Sequence, residues 1–272
     1  MKIYICVDIE GVAGVVTPEQ GTPGNAEYER ARRLMTEEAN AAIDGAIAAG
    51  ATTIVVNDAH GPMTNLVVEQ LRPEASFITG KPKPFNMFAG LTADFDAVFC
   101  IGHHAGASEF GVLAHTTNGF AFHGVSIDGR RLGETGLYGA YAGECGVPVV
   151  LVTGDDRCAT ANRPHFPGAT FVVVKTALAN RAAQAISVQA ARSAIRAGAE
   201  AALRRIEGAR PFLIDRPRSL ELVMNQPALA DLAETLPPAE RIDALTIRFA
   251  IASVAEAIGW VNAISAMSTA LR

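Results

Sequence analysis

At 272 residues, 49% hydrophobic and 19% charged, the chain is long enough to bury a large core as one α/β-sized domain or two smaller ones. A formal charge of -5 with no dense Lys/Arg tract excludes a broad basic field, so neither nucleic acid nor an anionic membrane is an expected partner. No apolar span is long enough to cross a membrane, and the strand pattern begins directly after Met1-Lys2, so no membrane segment or secretory leader is expected.

The first apolar run, IYICVDI over residues 3–9, is rich in strand formers and ends on acids, with Asp8 inside it and Glu10 just beyond. If the strand persists to residue 10, these two side chains share a face. Like charges that close resist ionising together unless something positive lies between them: a proton, a basic side chain or a metal ion. Asn25 then caps a predicted helix whose apolar positions Tyr28, Leu34, Met35, Ala39, Ala42, Ile43 and Ile47 follow a 3.6-residue period up to Gly50. A second strand, TTIVVND over 52–58, follows, and strand–helix–strand predicts a right-handed parallel crossover.

DAVFCIG (96–102) and VPVVLVTG (147–154) complete a set of nearly continuous apolar runs, the pattern of strands buried on both faces of a parallel sheet. GETGLYGAYAGECG (133–146) reads as a small-residue helix between them. From about residue 177 the texture changes. The alanine- and arginine-rich stretch 180–206 predicts one long amphipathic helix, and the segments 211–225 and 241–251 predict strands, each followed by a helix-like stretch. The expected fold class is α/β: a mainly parallel sheet flanked by helices in a metal-binding catalytic domain over 1–180, with a smaller C-terminal α+β unit over 181–272.

Ligands in open parallel sheets sit beyond the carboxyl ends of the strands. The residues there are Asp8 and Glu10, then Asp58 and His60 in VVNDAHG, His103 and His104 in CIGHHAGAS, and Asp155 and Asp156 in VTGDDR, with His115 and His123 soon after the third run. Carboxylates mixed with imidazoles suit zinc, manganese, iron or cobalt. Each piece also has a plain structural reading. Asp8 and Glu10 could be a loop acid and a capping acid, Asn57 and Asp58 a turn, Asp155 and Asp156 a helix cap, and Glu134 a first-turn helix acid. His103 and His104 cannot both face one side of a continuing strand, so one of them is structural. The conjunction favours a metal site.

Other templates are missing: GxSxG, GxxxxGK[ST] and GxGxxG do not occur. A paired-carboxylate glycosidase would account for Asp8 and Glu10 but not for the histidines. The four cysteines, Cys6, Cys100, Cys145 and Cys158, are scattered without a CxxC pair, which favours a reducing cytoplasm.

VDIEGVAG, YERARRLMTEEAN, VVNDAHG, KPKPFNM, GHHAGAS, a histidine eleven residues beyond His104, GETGL and VPVVLVTGDDR stand in an order that resembles the DppA-like D-aminopeptidases, binuclear zinc peptidases of bacteria. The resemblance covers most of the chain and weakens after residue 180. It implies two Zn2+ ions per subunit ligated by Asp8, Glu10, His60, His104 and Glu134, with His115 as the catalytic residue. It further implies a cytoplasmic homodecamer of two pentameric rings, acting on short peptides with an N-terminal D-amino acid such as D-Ala. Between His115 and Glu134 the spacing departs slightly from the family pattern, so Glu134 is the ligand least directly implied.

Such a pair of metals would hold a hydroxide near neutral pH and polarise the scissile carbonyl. His115 would then act as base, acid or oxyanion donor, or be a loop histidine bonded to backbone. Two other readings stay open: a binuclear amidohydrolase acting on a non-peptide amide, and an assembly protein with a structural metal. The second is disfavoured because structural zinc sites are typically closed and cysteine-rich.

Overall fold

The computed structural model describes residues 1–272. In chain order the elements are β1 (Lys2–Val7), α1 (Ala26–Ala48), β2 (Thr53–Asp58), β3 (Ala75–Ile78), β4 (Ala97–His103), β5 (Phe122–Ile127), β6 (Arg130–Arg131), α2 (Glu134–Glu144), β7 (Val149–Asp155) and α3 (Asp156–Asn162). They continue with β8 (Thr170–Ala179), β9 (Ala182–Ala185), α4 (Val188–Arg204), β10 (Ser219–Met224), α5 (Pro227–Glu234), β11 (Ala239–Arg241), β12 (Thr246–Ala250) and α6 (Val254–Met267).

Seven strands form one sheet in the order β3-β2-β1-β4-β7-β8-β9, parallel throughout except for the antiparallel β8–β9 pair. Every residue of β4 and β7 is buried, as continuous apolar runs require. Alternation along β1 divides the core. Ile3, Ile5 and Val7 join Met35 and Ile43 of α1 and Ile195 of α4 on one face. Tyr4 and Cys6 face the other, with Tyr138 of α2, Ile258 and Val261 of α6, and the second sheet. That second sheet is antiparallel, in the order β11-β12-β10-β5-β6. The two sheets draw on both sides of residue 180, since β9 and α4 pack with the first sheet and β5 and β6 belong to the second.

Asn25 caps α1 as its sequence predicts, accepting from the Tyr28 amide at 2.9 Å, and Gly50 just past the helix takes φ +90°. Three expectations change. β1 ends at Val7, so Asp8 and Glu10 stand in the turn after the strand and not on one strand face. The helix expected from residue 180 begins at Val188, because residues 182–185 find a ladder on β8 and Ser187 supplies the cap, accepting from the Ala190 amide at 3.2 Å. Residues 211–218 form no strand: Pro211 and Pro217 carry no N–H for a ladder, and β10 starts only at Ser219. Strands β3, β5, β6, β8, β9 and β11 are additional to those the apolar runs announced.

Candidate metal centre

From β1 the strand order runs outward to β2 and β3 on one side and to β4, β7 and β8 on the other, so the switch point lies between β1 and β4. At such a point two loops leave in opposite directions and open a crevice at the carboxyl edge. Here the turn after β1 lies flat on the end of β4. The Asp8 amide donates to the Ile101 carbonyl at 2.8 Å and the Gly11 amide to the Gly102 carbonyl at 2.7 Å. A Cβ at Gly11 would stand 2.0 Å from the His103 carbonyl oxygen, and one at Gly102 (φ +70°) 2.3 Å from that of Asp8. Two glycines therefore let backbone press on backbone and bring Asp8 and Glu10 opposite His104. Lys175, buried on β8, secures the same turn by donating to the carbonyls of Glu10, Val12 and Val15.

His60 Nδ1 lies 3.2 Å from Asp8 Oδ1 and 3.1 Å from Glu10 Oε2. His104 Nε2 lies 3.5 Å from Asp8 Oδ2 and 3.4 Å from Glu134 Oε2. The two oxygens of Asp8 thus face two different imidazoles. The opposite nitrogen of each ring meets a backbone carbonyl: His60 Nε2 at 2.8 Å from Gly21 O, and His104 Nδ1 at 2.8 Å from Ala105 O. A carbonyl only accepts, so each neutral ring keeps its proton there and turns a lone pair on the carboxylates. His104 Nε2 is fully buried and has no hydrogen-bond partner.

Burial disfavours charge on both imidazoles, but the carboxylates outweigh it: Glu10 and Asp8 hold His60, and Glu134 and Asp8 hold His104, well above the ordinary histidine range. Burial likewise pushes the carboxyls of Asp8 and Glu134 upward, and the facing imidazoles reverse it and hold both low. The cluster therefore demands positive charge at its centre. Potential ligand atoms fall within 4.8 Å of one another in the groups Asp8–Glu10–His60 and Asp8–His104–Glu134, which overlap at Asp8, and in Glu10–His104–His115. A borderline cation such as zinc fits this mixed oxygen and nitrogen set, and it removes the orphaned lone pair of His104.

His115 stacks on His104 with ring centroids 4.3 Å apart and planes 9° from parallel. Its Nδ1 lies 2.9 Å from the Leu113 carbonyl, and its Nε2 is 3.6 Å from Glu134 Oε1 and 3.9 Å from Glu10 Oε1. Its side chain is 26% exposed where that of His104 is 1% exposed, so of this stacked pair only His115 opens toward solvent. Glu134, the first residue of α2, is oriented by the Thr117 amide, which donates to its Oε1 at 2.5 Å.

The other acids and histidines have structural partners instead. Asp58 accepts from the Asn65 and Leu66 amides, Asn57 bonds Met87 and Lys83, and His103 meets Thr135 at 2.9 Å. Asp155 caps α3, accepting from Arg157 and Cys158, while Asp156 accepts from Ala177 and His123 lies against Ser108. The fourth strand end thus stays outside the cluster, and Glu134 takes its place.

Beyond the cluster a cavity of about 130 Å³ continues into an outer one of about 660 Å³. Both are lined by Gly61, Lys81, Asn86, His115, Thr117 and Ser265. The KPKPFNM segment forms one wall and α6 another, joined by a 2.6 Å hydrogen bond from Asn86 Nδ2 to Asn262 Oδ1. Apart from His115, sequence reasoning missed these lining residues, since neither a polar loop nor an apolar helix announces a cavity between them.

The model of peptidase family M55, described as D-aminopeptidase, matches residues 1–263. A D-aminopeptidase of Bacillus subtilis (strain 168) is 41% identical over 187 residues, covering 69% of this chain and 68% of that protein. The solved structure of a Zn-dependent D-aminopeptidase, DppA from Bacillus subtilis, described as a self-compartmentalizing protease, is similar with a TM-score of 0.95 and 34% identity, over 99% of this chain and 98% of that one.

Proposed function

The chain belongs to the M55 family of D-aminopeptidases, and on that premise we propose that it is a zinc-dependent D-aminopeptidase hydrolysing short peptides with an N-terminal D-residue such as D-Ala. In this reading Asp8, Glu10, His60, His104 and Glu134 would hold two zinc ions per subunit. Zinc bound there supplies a Lewis acid for the scissile carbonyl and a water acidic enough to be hydroxide near neutral pH. The observation that carries the reading is the placement of Asp8, whose two oxygens face two imidazoles with their protons locked on carbonyls.

The protein's own part is to place groups and move protons. The carbonyls of Gly21 and Ala105 fix the ring tautomers and Lys175 holds the turn that bears Glu10. His115, which lines the cavity with Nδ1 at the Leu113 carbonyl and Nε2 3.6 Å from Glu134 Oε1, takes a proton from the attacking water at Nε2 and delivers it to the leaving amine. Neither His60 nor His104 can do this in the same way, because both are buried while the His115 side chain opens toward solvent.

The proposal extends to a cytoplasmic homodecamer of two five-membered rings. The self-compartmentalizing relative supports an assembly, the four free cysteines suit a reducing compartment, and no helix is long and apolar enough to cross a membrane. Turnover of a D-Ala dipeptide, its L-counterpart and a simple amide, measured before chelation, after it and after zinc is restored, tests the activity. Full activity without metal, or a preference for the L-dipeptide or the amide, overturns the reading, and a stable monomer in light scattering overturns the assembly.

A further inference from the structure

The two cavities differ in charge. Asp8 and Glu134 line the inner one, whereas the outer one is lined by Lys81, Lys83 and Arg272 and by no acid. Of these three cations, two are already committed. Lys83 Nζ donates to Asn57 Oδ1 at 2.6 Å and to the Asp58 carbonyl at 2.7 Å, and Arg272 Nη2 reaches Asn118 Oδ1 at 3.3 Å. The Lys81 ammonium has no protein partner, and Lys81 is the only cation that lines both cavities.

Its position is held from both sides. The Gly80 amide donates to the Met63 carbonyl at 2.5 Å, Lys83 ties the segment to the end of β2, and Asn86 ties it to Asn262 on α6. An unpaired ammonium on an anchored segment at the mouth of the site is a prepared seat for an anion. We infer that Lys81 forms a subsite for the C-terminal carboxylate of a short peptide, making it a specificity residue that selects free dipeptides.

The inference rests on the aminopeptidase reading, which puts the N-terminal residue at the cluster and the rest of the substrate outward. In a dipeptide the free carboxylate lies one residue beyond the scissile bond, roughly 3.3–3.6 Å of extended chain, so its counter-ion must stand where the inner cavity meets the outer. Lys81 stands there, while Lys83 and Arg272 line only the outer cavity. The carboxylate end then meets the Lys81 ammonium, whereas a dipeptide bound in reverse sets its own ammonium against that of Lys81.

The test compares D-Ala-Gly with D-Ala-Gly amide on the zinc-loaded wild type, Lys81→Ala and Lys81→Arg. For the wild type, KM for the amide should exceed that for the acid by roughly tenfold, the size of one charge-assisted contact at a part-exposed site. Lys81→Ala should raise KM for the acid by about the same factor with kcat within about twofold, leave the amide unchanged, and be rescued by Lys81→Arg. Equal KM values for acid and amide in the wild type, or a Lys81→Ala effect of the same size on both substrates, overturns the subsite while leaving the peptidase reading standing. A wild type that cleaves neither substrate overturns both.

Discussion

Lys175, on β8, donates its ammonium to the main-chain carbonyl of Glu10, across 165 positions of sequence. Two further carbonyls of the same turn, Val12 at 3.0 Å and Val15 at 2.6 Å, take its remaining protons, so a fully buried cation is satisfied without a carboxylate in contact. Burial lowers its pKa to about 8, and the nearby charges of Glu38, Asp155 and Glu10 oppose that fall.

Lys175→Met keeps the aliphatic stem and removes the three donors. Each carbonyl left buried without a partner costs about 1–3 kcal/mol, so the variant should melt earlier and lose zinc together with activity as the turn bearing Glu10 loosens. Unchanged melting and unchanged metal content would show that the turn holds itself.

Gly11→Ala acts on the same turn from its other side. The added methyl has no room against the His103 carbonyl, and the only escape is to lift the turn off β4, which draws Asp8 and Glu10 away from His104. We expect metal content and kcat to fall far more than overall stability. Equal activity at equal zinc occupancy would sink the argument.

His115 and His104 stack, yet their loss should differ. His104→Ala removes a buried lone pair directed at Asp8 and Glu134 and should lower metal content and activity together. His115→Ala should retain metal and lose on the order of 10²–10⁴ in kcat, the range of a proton-transfer group. Metal analysis beside kinetics separates the two, and loss of metal from the His115 variant would move that residue among the ligands.

Glu38 sets a pH dependence away from the cluster. Its Oε1 accepts from the Ala13 amide at 2.9 Å while Oε2 is buried without a partner, and burial pushes the carboxyl up to about 7 from an ordinary 4.5. The folded state holds this proton more tightly than the unfolded state. The resulting stability is complete below the unfolded value and is lost as pH rises through about 7, a difference of roughly 3 kcal/mol at most. Urea unfolding at several pH values between 5 and 8 should show a smaller decline for Glu38→Gln than for the wild type, and parallel declines would refute the assignment.

What the sequence determined by itself lay in local pattern. Continuous Val/Ile runs ending in acids and histidines announce a parallel sheet with a polar carboxyl edge, because strand period, cap chemistry and the burial of apolar runs depend on near neighbours. Asn25 capping α1 and Asp155 capping α3 are legible for the same reason. Which edge residues meet was decided only by tertiary structure. Asp8 and Glu10 do not share a strand face; they converge on His60 because Gly11 and Gly102 fold a turn onto β4 and Lys175 fastens it from β8. Asp155 and Glu134 look alike in sequence as acids at the start of a helix. One is turned inward to its own amides and the other toward His104, a choice set by the placement of α2 and the Thr117 amide. The direction of each imidazole lone pair, and the meeting of Lys81 with α6 around one cavity, likewise depend on contacts between segments far apart in the chain. No local period encodes such contacts.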